Sequence, residues 1–274
     1  MTSKCYRIRH SRGRRLPILL SSPHSGIEFP LEVGAKIKRR YVELPEDTDF
    51  FIDQLYDFGP AVGMTQISAL YSRYVIDLNR DPSGSGLYAD GRSETGLVPV
   101  KTFSQQLLYE YGCEPTEEEI SRRLDAYYWP YYHRVERELQ LLKHEFGEVI
   151  FFDCHSIKRV VKSIRSEPFP DLIVGTLDGK TVSTKLQEIF IKGVSQGGIY
   201  QVSNNIPFKG GHLTRYFGKP SDGVHAIQLE MSQDIYLNED RSAIDEEKAQ
   251  ELRRLLKESL LSLVNVLLND EKAK

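Results

Sequence analysis

Several features that define other classes of protein are scarce in this chain of 274 residues. It has three cysteines (Cys5, Cys113 and Cys154), and they are scattered without a C-x-x-C pair, so neither a disulfide framework nor a thiolate zinc site is indicated. Scattered cysteines in odd number are typical of a reducing compartment, and we expect a cytoplasmic protein. No stretch approaches the roughly 20 apolar residues of a membrane span. We therefore expect no membrane partner.

An excess of positive charge is also missing. The formal net charge is −3, so no general basic field exists to attract nucleic acid, and no nucleic-acid partner is expected. Basic residues cluster only between residues 7 and 15, where we expect a solvated flap before the first strand. A chain of this length buries enough surface to fold without a metal, so a metal site would serve chemistry. The sequence indicates no oligomeric state.

The sequence does contain short apolar runs that alternate with long helical patterns, which is typical of α/β architecture. Buried strands are predicted at residues 16–20, 72–78, 148–152, 171–174, 199–202 and 225–231, and helices at residues 47–57, 116–146 and 245–268. There is no repeat or low-complexity linker, so residues 1–274 are expected to form a single domain. A Gly/Ser-rich loop at residues 83–96 is longer than a simple connector, and such loops tend to be functional or mobile.

Side chains that could carry chemistry occur where three predicted strands end. His24 follows the first strand, His155 follows the run at 148–152, and Glu230 lies on the strand at 225–231 with Gln228 on the same face. Open α/β sheets place their ligand sites at such strand ends. Two histidines and a carboxylate with an open position for water form a recurrent catalytic zinc site. A glutamate inside a buried strand indicates a cavity, because desolvating it elsewhere is costly.

The residues alone leave the carboxylate ligand open among Glu28, Asp47 and Asp49. Asp47 and Asp49 open the predicted helix at 47–57, and one of them is expected only to cap it. Each histidine, taken singly, could equally be a hydrogen-bonded loop residue. The predicted metal site therefore depends on the two histidines and a carboxylate occurring together, not on any one of these residues.

Arginines near the same edge could bind a substrate carboxylate. Arg80 follows Asn79 just after a predicted strand, where its guanidinium could hold a carboxylate bidentately, aided by the amide. A surface salt bridge to a neighbouring aspartate is the alternative for Arg80. Arg73 and Arg215 are further candidates, the latter because a glycine-bearing loop able to approach a ligand precedes it.

Together these segments resemble the N-formylglutamate amidohydrolase family. The matching stretches occur in family order between about residues 17 and 239 and are Pro23-His24-Ser25-Gly26, Asp47-Thr48-Asp49, Ser72-Arg73-Tyr74-Val75-Ile76-Asp77-Leu78-Asn79-Arg80, Asp153-Cys154-His155-Ser156, Pro170-Asp171-Leu172, Gly175-Thr176, Phe208-Lys209-Gly210-Gly211-His212-Leu213-Thr214-Arg215 and Gly223-Val224-His225-Ala226-Ile227-Gln228-Leu229-Glu230. The short stretches are weak signals singly, whereas the ordered set is a strong one.

The resemblance implies a phosphorylase/hydrolase-like α/β fold with a mixed sheet flanked by helices, as in zinc carboxypeptidases and aspartoacylases. It also implies one zinc ion bound by His24, His155 and either Asp49 or Asp47. Glu230 would be the catalytic glutamate of this family.

The same resemblance implies a small N-acyl amino acid as substrate, with N-formyl-L-glutamate cleaved to formate and L-glutamate in histidine degradation. Asn79 and Arg80 would bind the substrate carboxylate as an Asn-Arg pair does in those relatives. Where the family often carries an arginine-containing segment, this chain has Asn204-Asn205-Ile206-Pro207. If that segment contacts the side-chain carboxylate, a strict preference for glutamate is not expected.

Three other functions stay open from the sequence. The same chemistry could act on another N-acyl amino acid or a small peptide. A non-catalytic metal- or ligand-binding protein could be built on a hydrolase fold, although the intact set of candidate residues argues against it. Cysteine hydrolysis through Cys154 is the weakest alternative, because its histidine neighbour, His155, is adjacent in sequence and rarely achieves the facing geometry.

Overall fold

The computed structural model describes residues 5–87 and 94–272, in which seven strands form one mixed sheet. The strands are Tyr6–Arg9 (β1), Ile18–Ser22 (β2), Thr65–Ala69 (β3), Val149–Ile157 (β4), Leu172–Gly175 (β5), Val202–Asn204 (β6) and Val224–Ser232 (β7). Their order across the sheet is β1-β3-β2-β4-β7-β5-β6. The central strands β3, β2, β4 and β7 are mutually parallel, whereas β1 and β5 run antiparallel to their central neighbours. The carboxyl ends of four strands therefore meet at one edge.

Helices in the described part of the chain connect and cover these strands. They are Leu31–Gly34 (α1), Arg39–Glu43 (α2), Ile52–Leu55 (α3), Phe58–Ala61 (α4), Glu117–Arg123 (α5), Trp129–Phe146 (α6), Thr184–Val194 (α7), His212–Phe217 (α8) and Glu246–Lys272 (α9). One π-helical turn, Leu124–Tyr128, joins α5 to α6, and the Thr116 hydroxyl caps α5 by accepting the Glu119 N–H. Within residues 5–87 and 94–272, no helix has the length and apolar character needed to cross a membrane.

The sheet carries apolar side chains on both faces, so it must be covered on both. The strand side chains of one face pack against α7 and α9, and they include Leu20, Phe152 and Leu229. Those of the other face pack against α6 and α8, and they include Leu19, Phe151 and Ala226. This arrangement of helices on both sides of a mixed sheet confirms the predicted α/β fold.

The strand predicted at residues 72–78 is wrong. The strand beside β2 is Thr65–Ala69, whose polar Gln66 and Ser68 hide its strand character in the sequence. Residues 72–78 form instead a buried loop after β3. Backbone groups of this loop form hydrogen bonds with side chains instead of with a neighbouring strand. For example, the Tyr132 hydroxyl donates to the Leu78 carbonyl at 2.7 Å.

The predictions for residues 47–57 and for the basic segment at residues 7–15 also need correction. The expected helix at residues 47–57 is only the short helix Ile52–Leu55, and neither Asp47 nor Asp49 caps it. The expected basic flap contains an edge strand, Tyr6–Arg9, because its extended backbone pairs with β3. Of the loop predicted at residues 83–96, residues 88–93 lie outside the described residues.

Candidate metal centre and active site

Three of the predicted site residues lie at the carboxyl edge of the sheet. His24 follows the end of β2 by two residues, while His155 and Glu230 lie near the ends of β4 and β7. His155 and Glu230 are register partners on adjacent parallel strands. Their side chains therefore project from the same face of the sheet, with the strands roughly 5 Å apart. The topology brings together three residues that are at least 75 positions apart in the sequence.

His24, Asp49 and His155 converge on a common point. Each offers one ligand atom, and the three atoms lie within 4.8 Å of one another. Asp49 Oδ2 is 3.1 Å from Nδ1 of His155 and 3.8 Å from Nδ1 of His24. All three side chains are buried. Two imidazole nitrogens and one carboxylate oxygen form a donor set that suits a divalent metal, so these residues could hold one ion.

The outer nitrogen of each imidazole faces a buried carboxylate. Nε2 of His24 lies 2.8 Å from Asp77 Oδ1, and Nε2 of His155 lies 3.1 Å from Asp153 Oδ1. Metal-binding histidines usually donate their second ring N–H to such a partner, which fixes the tautomer and leaves the inner nitrogen free to bind. Both Nδ1 atoms point toward Asp49, so the surroundings of the rings fit a metal centre as well as the donor set does.

The two imidazoles have opposite pKa shifts. Burial and the nearby charge of Arg73 lower the pKa of His24, despite the contact with Asp77. Burial acts in the same direction on His155, but the carboxylates of Asp153 and Asp49 outweigh it and raise the pKa of His155 well above its usual range. Without an ion, His155 therefore carries a proton that a metal must displace.

The candidate carboxylate ligands are separated by the structure. Asp49 belongs to the convergent group, whereas Asp47 Oδ2 accepts the backbone N–H of Phe103 at 2.7 Å and holds that loop. Burial raises the pKa of Asp47. Glu28 is exposed, and its backbone forms a bridge to Tyr71. Among the three alternatives, Asp49 alone has the geometry of a ligand.

Glu230 lies in the same pocket as the convergent group. Burial raises the pKa of Glu230 to about 8, partly opposed by the charge of His155. Gln228, on the same strand face, places its amide nitrogen 3.5 Å from Glu230 and accepts the Gly211 N–H at 2.7 Å. The strand alternation predicts this face correctly, because both side chains line the pocket.

Two guanidinium groups line the pocket, those of Arg73 and Arg80. Arg73 is buried, donates from Nη2 to Asp77 Oδ2 at 2.5 Å, and lies over the ring of Phe103 at 4.7 Å. Arg80 donates from Nε to the Thr95 carbonyl at 2.8 Å and from Nη2 to its hydroxyl at 3.2 Å, so one edge of its fork is occupied. The surface salt bridge considered for Arg80 is not among the contacts that the structure describes.

Asn79 lies in a tightly packed position next to His155, one of the candidate metal ligands. Its Oδ1 accepts the Leu213 N–H at 2.9 Å, and its Nδ2 lies 3.2 Å from Nε2 of His155. Gly211 packs directly on the amide, since a Cβ at that glycine would lie 2.1 Å from Nδ2. The amide therefore links α8 to a metal-ligand candidate. It lines the pocket, but its oxygen already has a protein partner.

Arg215 lies beside the pocket instead of on its wall. Its guanidinium donates to the carbonyl oxygens of Gly210 and Leu87, at 2.9 Å and 2.7 Å. Leu87 itself lines the pocket. Arg215 therefore ties the loop that follows Arg80 to the glycine-bearing loop before α8.

Several pocket residues carried no signal in the sequence. Four of them form one side of the pocket, here called the apolar wall: Phe103, Ile157, Ile164 and Phe208. Nothing in their spacing indicates a common site, because they come from four separate segments. The segment 204–207, considered as a possible contact for the substrate side chain, contributes Asn204, Asn205 and Ile206 to a different surface depression.

Comparison with known proteins places this geometry in a family. The model of the N-formylglutamate amidohydrolase family matches residues 16–237. The N-formylglutamate deformylases of Pseudomonas putida and Pseudomonas aeruginosa are each 36% identical over 251 residues, which cover 91% of this chain and 93% of the relative. The crystal structure of N-formylglutamate amidohydrolase from Ralstonia eutropha JMP134 superposes with a TM-score of 0.75 at 25% identity, covering 98% of this chain and 97% of that one. A gene product of Agrobacterium tumefaciens shares the fold, with a TM-score of 0.70 at 20% identity, covering 96% of this chain and 97% of that one. The chain belongs to the N-formylglutamate amidohydrolase family.

Proposed function

We propose that this chain hydrolyses the amide bond of N-formyl-L-glutamate to formate and L-glutamate, with one zinc ion held by His24, Asp49 and His155. The observation that carries the proposal is the convergence of these three ligand atoms within 4.8 Å, in the pocket that also contains Glu230. The deformylases of the two Pseudomonas species, at 36% identity, support the choice of substrate.

Zinc suits the donor set, because two imidazoles and one carboxylate leave a coordination position open. When bound, the ion would supply Lewis-acid activation of a water molecule and of the acyl oxygen. Asp77 and Asp153 hold the two imidazoles with their inner nitrogens facing Asp49. These contacts would orient the two imidazoles for metal binding even in the metal-free protein.

Glu230 is proposed as the general base and then the general acid. Its carboxylate takes a proton from the attacking water and returns it to the amine nitrogen as the C–N bond breaks. A buried carboxyl whose pKa is raised toward neutrality suits both transfers, because each then costs little free energy near pH 7. Its register position beside His155 on the neighbouring strand supports this role.

Arg80 is proposed to bind a substrate carboxylate. Thr95 occupies the Nε/Nη2 edge of its fork, and the Asn79 carbonyl takes one Nη1 N–H at 3.2 Å. Among the described residues, no further hydrogen bond of its terminal nitrogens is found, and a guanidinium with free N–H groups can bind a carboxylate. Arg73, buried in the same pocket, is proposed for the second carboxylate of glutamate.

Asn79 and Arg215 are proposed to support the binding of the substrate carboxylates indirectly, by positioning other parts of the pocket. Asn79 would keep the His155 side of the site in register with α8, and Arg215 would hold the loop that carries Leu87. We also propose a cytoplasmic location, which the three free cysteines support.

The test is formate release from N-formyl-L-glutamate by zinc-loaded protein, compared with the variant Glu230→Gln. We expect the variant to keep its zinc and to lose kcat by about 10²–10⁴-fold, the usual contribution of a general acid–base. Near-normal turnover by Glu230→Gln would remove the mechanism. A zinc-loaded wild type without turnover on formyl, acetyl or formimidoyl substrates would indicate a binding protein instead.

A further inference from the structure

A third apolar cluster lies at the carboxyl edge of the sheet, separate from the two cores that cover its faces. Its buried members are Ile157, Val161, Phe169 and Ile173, and Phe103, Ile164 and Phe208 pack against them. These last three side chains are only partly buried, and with Ile157 they line the pocket as the apolar wall. The wall therefore presents apolar surface to whatever enters the site.

The apolar wall is held in place by named contacts. The rings of Phe169 and Phe208 stack with their centroids 5.2 Å apart. Arg159 donates from Nη1 to the Phe169 carbonyl at 2.9 Å and from Nη2 to Asp171 Oδ1 at 2.6 Å, which fixes the loop between β4 and β5. The Ser163 hydroxyl on that loop donates to the Phe103 carbonyl. The wall is thus built by separate segments fastened to one another.

Two chains of contact connect the apolar wall to the proposed zinc site. The ring of Phe103 lies under the guanidinium of Arg73, which is bonded to Asp77, and Asp77 in turn holds His24. Ile157 follows His155 by two residues on β4. Because Arg73 also pairs with Asp77, a substrate that lacks a second carboxylate does not leave this guanidinium without a counter-charge.

Only the amino-acid side chain of an N-formyl substrate can cover this surface. The formyl group has no carbon beyond its carbonyl, and the α-carboxylate needs polar partners. Glutamate offers two methylenes, whereas an unbranched aliphatic side chain offers more apolar surface to bury. We infer that the same site hydrolyses N-formyl amino acids with unbranched apolar side chains, which lie along Phe103, Ile164 and Phe208. This inference rests on the proposed function.

The reaction is the same hydrolysis on a different substrate class. The oxygen of water bonds to the formyl carbon, the C–N bond breaks, and the nitrogen takes a proton to leave as the amine. The products are formate and the free apolar amino acid. No co-reactant other than water is needed.

The experiment compares kcat/KM of the zinc-loaded protein for N-formyl-L-norleucine and for N-formylglycine, with N-formyl-L-glutamate measured alongside. We expect norleucine to exceed glycine by at least about tenfold, since even one methylene in an apolar pocket can contribute that much. The variants Ile164→Ala and Phe208→Ala should lower this ratio severalfold. Val160→Ala, on the same loop but 43% exposed and outside the cluster, is the matched control and should leave the ratio unchanged.

The two possible failures are distinguishable. If N-formyl-L-glutamate is hydrolysed while norleucine is no better than glycine, the inference is overturned and the proposed function stands; this comparison uses wild-type protein and depends on no variant folding. If no N-formyl substrate is hydrolysed by the zinc-loaded protein, the proposed function fails and the inference fails with it.

Discussion

The two imidazoles of the candidate metal centre are similar in position and opposite in electrostatics. Both are buried, both present Nδ1 to Asp49, and both have Nε2 next to an aspartate. Nevertheless the pKa of His24 is lowered, whereas that of His155 is raised. The difference lies in the further partners of the two aspartates. Asp77, the aspartate beside His24, also accepts from the cationic Arg73, whereas Asp153, the aspartate beside His155, accepts from the neutral hydroxyl of Thr214.

The comparison shows that the effect of a neighbouring carboxylate on the pKa of a histidine depends on the other partners of that carboxylate. Asp77 accepts from His24, Arg73 and the backbone N–H of Asn79, so its negative charge is divided among three donors. The charge of Asp153 is the largest of the effects that raise the pKa of His155. In the metal-free protein the neutral ring of His24 is therefore favoured, whereas a metal bound at this candidate centre would compete with a proton for His155.

The largest expected effect comes from the two outer carboxylates. Asp153→Asn should weaken zinc binding by about 10–100-fold, the usual cost of removing such a partner. Asp77→Asn should weaken it more and also destabilise the fold by about 3–5 kcal/mol, because it leaves the buried Arg73 without its counter-charge. Competition with a chelator and urea unfolding measure the two effects. Asp178→Asn, on the exposed surface, is the control, and a weaker effect for Asp77→Asn than for Asp153→Asn would contradict the comparison.

A smaller effect is expected in the pH dependence of the metal-free protein. The folded-state pKa values of His155 and Glu230 are raised, so above their ordinary pKa values of 6.5 and 4.5 the folded protein binds more protons than the unfolded chain. The stability that these protons contribute is present at low pH and is lost as pH rises through the folded pKa, which is about 8 for Glu230.

Urea unfolding of metal-free protein between pH 6 and 9 checks this sign. Within that window each such group should lower the free energy of unfolding by at most about 1.4 kcal/mol per pH unit. His155→Gln and Glu230→Gln should each flatten the dependence. His24→Gln should not flatten it, since the lowered pKa of His24 places its proton uptake below pH 6.5. A metal-free protein that gains stability across this window would refute the assignment.

The sequence predicts the centre of the fold well and its periphery poorly. The apolar runs of β2, β4 and β7 are evident, and the convergence of His24, His155 and Glu230 follows from parallel strands whose ends share an edge. β3 escapes recognition because polar residues alternate along it, while the buried loop at residues 72–78 has the composition of a strand. An apolar composition indicates that a segment is buried, but residues 72–78 are buried without pairing as a strand.

The rest of the site depends on contacts between distant segments that no local pattern encodes. Asp49 and Asp47 look equivalent in sequence, and only the folded chain shows one facing two imidazoles and the other holding Phe103. The partnership of Arg73 with Asp77 and the assembly of the apolar wall are equally invisible. Their members become neighbours only after the loops at the sheet edge have packed.

The most direct test of the central claim is the metal content of purified protein measured for three chains: wild type, Asp49→Asn and Asp47→Asn. We predict one equivalent of zinc in the wild type, its retention in Asp47→Asn, and its loss in Asp49→Asn. Wild-type protein that binds no divalent ion after incubation with zinc, or an Asp49→Asn variant that binds it as tightly as the wild type, would contradict the account.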